Sequence, residues 1–332
     1  MNIKTLKDKI FNLNNLSIDE TIFIFNCIMS GEISEIEIAG ILVALKLKKE
    51  SKEEIIGATK CMREKSTKIS TLDNIIDTCG TGGDMLGTLN ISTSAAIVAA
   101  SAGAKVAKHG NRSISSRSGS ADMLEELGYK ITDNIKKLES DLENNNFCFL
   151  FAQNHHSAMQ YVINVRKKLE TRTIFNLLGP LTNPANAKNQ LLGVFDKQWV
   201  KIHCEVLKDL GSKRAMVVHG KDGLDEISLS GLTDIAELKD DRIKEYTFNP
   251  LDYGYAYINN NDIKGGDPRY NAKEFIKMLN GDNKEFQNIV EINAGAALYI
   301  SGICKDLKDS FDLARNVIDK KITINYLDKL IK

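Results

Sequence analysis

The richest chemistry in the sequence lies in Asp77-Thr78-Cys79-Gly80-Thr81-Gly82-Gly83-Asp84, which follows the apolar pair Ile75-Ile76. A helix is expected to begin near Thr93. Glycines between a strand and a helix let backbone N–H groups approach an anion with no Cβ in the way, and the helix N-terminus adds a favourable dipole. The run reads as a phosphate-binding loop, with an ordinary turn as the plain alternative. It is not a P-loop, because no Gly-Lys-Ser/Thr follows. Nor is it a dinucleotide fingerprint, because Met85 stands where the last glycine should be.

Two further polar runs follow closely. Asn90-Ile91-Ser92-Thr93 places hydroxyls and an amide at a helix start, where Ser and Thr are more often simple N-caps. Lys108-His109-Gly110-Asn111-Arg112-Ser113 then leads into Ser115-Ser116-Arg117-Ser118-Gly119-Ser120. A strand over 105–107 would deliver this second loop to the carboxyl edge of a sheet, beside the first. Crevices outside the carboxyl ends of parallel strands are where ligands bind in such folds. Two oxyanion cradles are therefore expected side by side; a solvated loop is the bland reading of the second.

Such loops need a scaffold, and its elements are legible. Ser17-x-x-Glu20, Ser34-x-x-Glu37 and Ser51-x-x-Glu54 are three candidate capping boxes, each opening a segment with helical apolar spacing. The first 70 or so residues thus read as a packed helical unit. From Asn74 the character changes to alternating strands and helices. Strands are expected at 75–77, 104–107, 147–151, 191–195 and 215–218, and helices at 93–102 and 120–127, with another between the last two strands. The βαβ alternation argues for a largely parallel sheet covered by helices. Three more helices are expected at 271–279, 284–302 and 306–319. Pro180 and Pro184, two of only four prolines, mark NLLGPLTNP as a specific rigid turn.

The chain has 332 residues, 42% hydrophobic and 27% charged, so disorder and disulfide-dense scaffolds are excluded as descriptions. Forty-four basic side chains balance 44 acidic ones, which speaks against a nucleic-acid or membrane-surface partner. The six cysteines form no CxxC pair and read as small core hydrophobes. No secretory leader or bilayer-spanning run is visible, so a cytoplasmic protein is expected.

DTCGTGGD, NISTS, KHGNRSISSRSGSAD, VRKKLETRTIFNLLGPLTNPA and GLDEIS, in this order and at these separations, closely resemble the anthranilate phosphoribosyltransferase family. That family joins anthranilate to phosphoribosyl pyrophosphate in tryptophan biosynthesis. The resemblance implies a small α-helical domain (1–72, completed by part of 166–190) plus a larger α/β domain (73–332) with a mostly parallel central sheet, of the nucleoside phosphorylase/phosphoribosyltransferase type. It also implies a homodimer through the helical domain. Carried over by position, Gly80, Gly82, Gly83 and Asp84 form the pyrophosphate loop. Thr88, Asn90, Ile91, Ser92 and Thr93 contact the sugar phosphate. Lys108, His109, Gly110, Asn111, Arg112, Ser113, Ile114, Ser115, Ser116 and Ser120 belong to the segment closing over phosphoribosyl pyrophosphate. Gly80, His109, Asn111, His156 and Arg166 serve anthranilate. Ser92, Asp225 and Glu226 bind magnesium, implied at two ions per subunit.

These roles make chemical sense. Mg²⁺ prefers oxygen ligands and takes only one or two protein carboxylates when phosphates supply the rest. The guanidinium fork of Arg166 suits bidentate recognition of a carboxylate. An arylamine is already neutral at pH 7, so no general acid or base is assigned. Two features depart from the family pattern: Ser157 replaces a common proline, and Arg117 replaces a common lysine. A pyrimidine nucleoside phosphorylase and a nucleic-acid-binding relative of the same fold are the rival readings. The first is disfavoured by KHGNRS and GLDEIS, the second by the zero net charge.

Overall fold

All three capping boxes form. Ser17, Ser34 and Ser51 each accept the N–H of the glutamate three residues on, and each glutamate side chain returns the bond. They open three of the four N-terminal helices in a computed structural model that describes residues 1–70, 74–113 and 117–332. These helices are α1 (Ile3–Phe11), α2 (Ile18–Met29), α3 (Glu35–Lys48) and α4 (Lys52–Lys65). The boundary expected at 72/73 lies outside the described residues.

Next come β1 (Ile75–Gly80), α5 (Ile91–Ser101), β2 (Lys105–Gly110), α6 (Ser120–Glu126), α7 (Ile135–Asn145) and β3 (Phe147–Phe151). The chain then turns through α8 (Ala152–His155), α9 (Gln160–Leu169) and α10 (Ile174–Leu178). It re-enters the sheet as β4 (Asn189–Gly193), α11 (Gln198–Asp209), β5 (Arg214–Gly220), β6 (Thr233–Lys239) and β7 (Arg242–Phe248). Four helices close it: α12 (Pro268–Asn280), α13 (Lys284–Ser301), α14 (Leu307–Asp319) and α15 (Ile322–Leu330).

The seven strands form one sheet in the order β3-β2-β1-β4-β5-β6-β7. The first five are parallel, and β6 and β7 are antiparallel. Both faces of the central strands are buried, as parallel sheets require. Leu191, Met216 and Val218 face a cluster with α5 and α13, while Leu192, Ala215 and Val217 face α4, α10 and α11. That second cluster also takes in Val162 and Val165 of α9, which therefore pack with the N-terminal helices.

Several expectations need adjustment. The second strand continues three residues beyond Ala107, so Lys108, His109 and Gly110 sit in β2 rather than in a loop. Pairing with β3 holds them there, matching Lys108 with Phe149 and His109 with Leu150. Helix α7 and the β6–β7 hairpin lie outside the expected elements. In α7 only Leu138 and Leu142 are buried, and β7 shows an almost wholly solvated face. Of the six cysteines, all free, five are buried. Among the described residues no helix is long and apolar enough to cross a membrane.

Candidate active site

The chain passes from β1 to β2 to β3 on one side and returns to place β4 on the other side of β1. Its order therefore reverses beside β1, and the glycine loop leaves β1 at that switch point. Thr81 N–H donates to Gly193 O (2.9 Å) and Thr81 Oγ1 accepts from Phe195 N (3.0 Å), tying the loop to the end of β4. Gly82, Gly83, Met85 and Gly87 all have positive φ, between 62° and 80°. The glycines adopt this region without a Cβ penalty; Met85 does so while 89% exposed.

The acidic pair of GLDEIS arrives from the loop after β5. Gly193 makes room for it: a Cβ there would lie 1.5 Å from the carbonyl oxygen of Asp225. A Cβ on Gly80 would lie 2.4 Å from Asp225 Oδ2. Both carboxylates already rest on amide donors. Gly82 N–H donates to Asp225 Oδ2 (2.8 Å), and Ser92 N–H, in the first turn of α5, donates to Glu226 Oε1 (3.1 Å). The donors expected to cradle an anion are thus in place and hold carboxylate oxygens.

Burial first, and then the Asp84 carboxylate, pushes Asp225 up to about 7; burial and then Asp225 push Glu226 up to about 8. Asp84 is raised by burial as well. The cationic counterweight is Lys108, only 1% exposed, whose Nζ donates to Thr78 O (2.6 Å) and reaches Ser92 Oγ at 3.5 Å. A divalent cation fits this donor set: hard oxygens, two acids whose charge is disfavoured by burial and by acidic neighbours, and Ser92 Oγ beside them. Among the described residues no cluster of three or more His, Cys, Asp or Glu stands ready to hold a metal.

The second cradle is fastened by residues the motif reading passed over. Asp122 Oδ2 accepts from Ser113 N (3.0 Å) and Gly119 N (2.9 Å), drawing together the two ends of the serine-rich loop. Asn271, on α12, donates to Asn90 Oδ1 (2.8 Å), and Asn90 in turn donates to Ser118 O (3.2 Å). Thr93 Oγ1 meets Ser120 Oγ at 3.0 Å. Thr88 pairs with Lys264 across an isolated bridge. The guanidinium of Arg112 pairs with Asp122 and Glu125, and burial of its charge is slight. Ile114, Ser115 and Ser116 lie outside the described residues.

On the other side of β2 the imidazoles of His109 and His156 meet edge to face, centroids 5.2 Å apart. Their Nε2 atoms are buried and lack a hydrogen-bond partner among the described residues. Desolvation is the main cause that lowers both, His109 well below the usual value and His156 to about 4, so both are neutral. The NLLGPLTNP turn is held by Arg63 Nε donating to Leu181 O (2.7 Å) and by Asn183 Nδ2 donating to Ala107 O (2.8 Å). Asn111 Oδ1 accepts from Arg112 N (2.8 Å) and from Gln153 Nε2 (3.4 Å).

Arg166 lies on α9, its guanidinium 5.6 Å from the ring centroid of Phe175. Desolvation lowers it, and among the described residues no carboxylate pairs with it. Guanidinium groups pair with carboxylates in a planar, two-point geometry. Arg172, six positions on and within the VRKKLETRTIFNLLGPLTNPA motif, is a cation to which the sequence reading gave no role; its nearness to Asp84 and Asp225 favours their charged forms.

Comparison with known proteins agrees with this geometry. The model described as "Glycosyl transferase family, helical bundle domain" matches residues 3–66, and "Glycosyl transferase family, a/b domain" matches 72–321. An anthranilate phosphoribosyltransferase of Methanobrevibacter smithii is 46% identical over 98% of this chain and 97% of its own. The crystal structure of the Thermus thermophilus anthranilate phosphoribosyltransferase superposes with a TM-score of 0.93, at 38% identity over 98% of each chain. The Saccharomyces cerevisiae enzyme in complex with PRPP and Mg gives 0.89 at 26% identity, over 99% of this chain and 96% of that one.

Proposed function

The chain belongs to the anthranilate phosphoribosyltransferase family, and on that footing we propose that it transfers the 5-phosphoribosyl group of phosphoribosyl pyrophosphate to the amine of anthranilate. The products are N-(5-phosphoribosyl)anthranilate and pyrophosphate, in tryptophan biosynthesis. The observation that carries the assignment is the convergence at the carboxyl end of β1. The amides of Gly82 and Ser92 hold the oxygens of the acidic pair, and Lys108 stands behind them. The phosphorylase alternative is not favoured by these relatives.

The C1′–O bond to pyrophosphate breaks and a C1′–N bond forms; the amine then releases one proton to solvent. Charge grows on the leaving group, and donors fixed in advance stabilise it most effectively. Here the amides of Gly82 and Ser92 orient the two carboxylates. The Lys108 amine beside them, held by Thr78 O and near Ser92 Oγ, is the cationic group nearest the leaving group, although burial disfavours its charge. Mg²⁺, when bound, supplies further charge neutralisation on the pyrophosphate; Asp225, Glu226 and Ser92 would hold it. Two ions per subunit fit the spread of acids from Asp84 to Glu226. Arg166 takes the anthranilate carboxylate, Asn111 its neighbouring polar edge, and the neutral His109 and His156 line its channel without competing charge. The rest is positioning of the amine in line with C1′.

The helical layer supports a homodimer. Phe11, Ile36, Leu47, Tyr161 and Ile163 are exposed large apolar side chains on α1, α3 and α9. These exposed apolar side chains are what a homodimer through the helical domain would cover. The test of function is direct: protein, Mg²⁺, phosphoribosyl pyrophosphate and anthranilate are mixed and anthranilate fluorescence is followed. Loss of fluorescence that needs all four components supports the assignment; none at any Mg²⁺ level overturns it.

A further inference from the structure

We propose that Arg172 is a positioning residue for the pyrophosphate half of the substrate, locking the glycine loop in its anion-binding shape. The proposal rests on the functional reading above. Arg172 lies in the connection between α9 and α10, outside the sheet. Its Nη2 donates to the carbonyl of Gly83, and its guanidinium lies 4.2 Å from the ring centroid of Phe195, just past the end of β4. Phe195 in turn donates its N–H to Thr81 Oγ1 (3.0 Å). Thr81, Gly83, Arg172 and Phe195 therefore form a closed circuit around the loop.

The loop needs such a brace. Gly82, Gly83 and Met85 all lie in the left-handed region, which leaves many other backbone states open to a glycine-rich segment. Pinning the Gly83 carbonyl fixes the peptide next to Gly82, whose N–H holds Asp225 Oδ2 (2.8 Å). Stacking on an aromatic face fixes the plane of the guanidinium, which an ammonium could not reproduce. The fit is close on the opposite side too, since a Cβ on Gly83 would stand 3.2 Å from Arg172 Nε. Among the described residues no carboxylate pairs with Arg172, so its charge remains available to the loop. Arg166 and Arg172 ride on one short segment, so the anthranilate side and the pyrophosphate side are braced from the same place.

The test is a calorimetric titration with phosphoribosyl pyrophosphate and Mg²⁺ in the absence of anthranilate, alongside saturation curves for both substrates. Arg172→Ala should weaken phosphoribosyl pyrophosphate binding about 10- to 100-fold and raise its KM, with the anthranilate KM moving less than about twofold. Arg172→Lys should recover only part of the loss. Phe195→Leu, with Arg172 in place, should produce a smaller loss, and the double variant should be little worse than Arg172→Ala. The melting temperature should hardly change, because the side chain is exposed. Unchanged phosphoribosyl pyrophosphate affinity in Arg172→Ala, an equal rise in both KM values, or full recovery in Arg172→Lys would overturn the proposal. Wild-type protein that does not bind phosphoribosyl pyrophosphate would instead overturn the functional reading itself.

Discussion

Arg166→Ala separates the two substrates. The guanidinium is partly desolvated, lies 5.6 Å from the Phe175 ring centroid, and lacks a carboxylate partner among the described residues. Its desolvation is already present in the free protein, so a bound carboxylate gains a partner without that further cost. A hydrogen bond to a charged group contributes roughly 1.5–3 kcal/mol, and a tenfold change in affinity corresponds to about 1.4 kcal/mol. Arg166→Ala should therefore raise the anthranilate KM by roughly 10- to 150-fold. The KM for phosphoribosyl pyrophosphate should move little. Removing an unpaired, partly buried cation should also leave the melting temperature of the ligand-free protein unchanged or slightly higher. Arg166→Lys should regain only part of the loss, because an ammonium makes no planar two-point contact. The assay is a pair of saturation curves, one per substrate, with a melting curve on each variant. A parallel rise in both constants, or a clear fall in melting temperature, would show that Arg166 does not receive the carboxylate.

Asp225→Asn combined with Glu226→Gln should raise the melting temperature of the ligand-free protein, since two buried and mutually repelling acids are removed. The same change should weaken Mg²⁺-dependent phosphoribosyl pyrophosphate binding; an unaltered Mg²⁺ titration would exclude the pair from the site. Gly193→Ala drives a Cβ into backbone 1.5 Å away and should cost about 3 kcal/mol or more in denaturant unfolding. Gly80→Ala meets first the Asp225 carboxylate, 2.4 Å away, and its backbone only at 3.4 Å, so it should cost less stability than Gly193→Ala while lowering Mg²⁺ affinity by about 10-fold or more; equal stability losses would contradict that contrast. His156, lowered to about 4 by desolvation, resists a proton that the unfolded chain takes up near pH 6.5. Its contribution is therefore present above pH 6.5 and lost as pH falls towards 4, by up to about 3 kcal/mol. The buried acids Asp225 and Glu226, being raised, act in the opposite direction, so the measure is the difference between wild type and His156→Gln. Wild type should lose stability relative to the variant between pH 7 and 4.5, and parallel profiles would refute the assignment.

Local chemistry wrote much of this protein directly into its sequence. The three capping boxes act over three residues, so Ser17, Ser34 and Ser51 were readable as helix starts. The all-apolar run Phe147–Phe151 was a buried strand because both of its faces meet packed layers. The glycine run was readable as a turn between a strand and a helix for the same local reason, since Gly82 and Gly83 take positive φ there. Tertiary structure decided which distant groups meet there. Gly82 receives Asp225 across 143 positions, Ser92 receives Glu226 across 134, and Asn90 receives Asn271 across 181. No periodicity marks such partners; they are brought together by the reversal of strand order beside β1 and by the register of β1 against β4. The same holds for Lys108 and His109, whose polarity suggests a loop but whose pairing with β3 keeps them in a strand, and for Arg172, an ordinary exposed arginine until Gly83 and Phe195 are placed against it. Helix caps and turns are set by neighbours in the chain, whereas a site built from the ends of several strands exists only after long-range packing has chosen one topology.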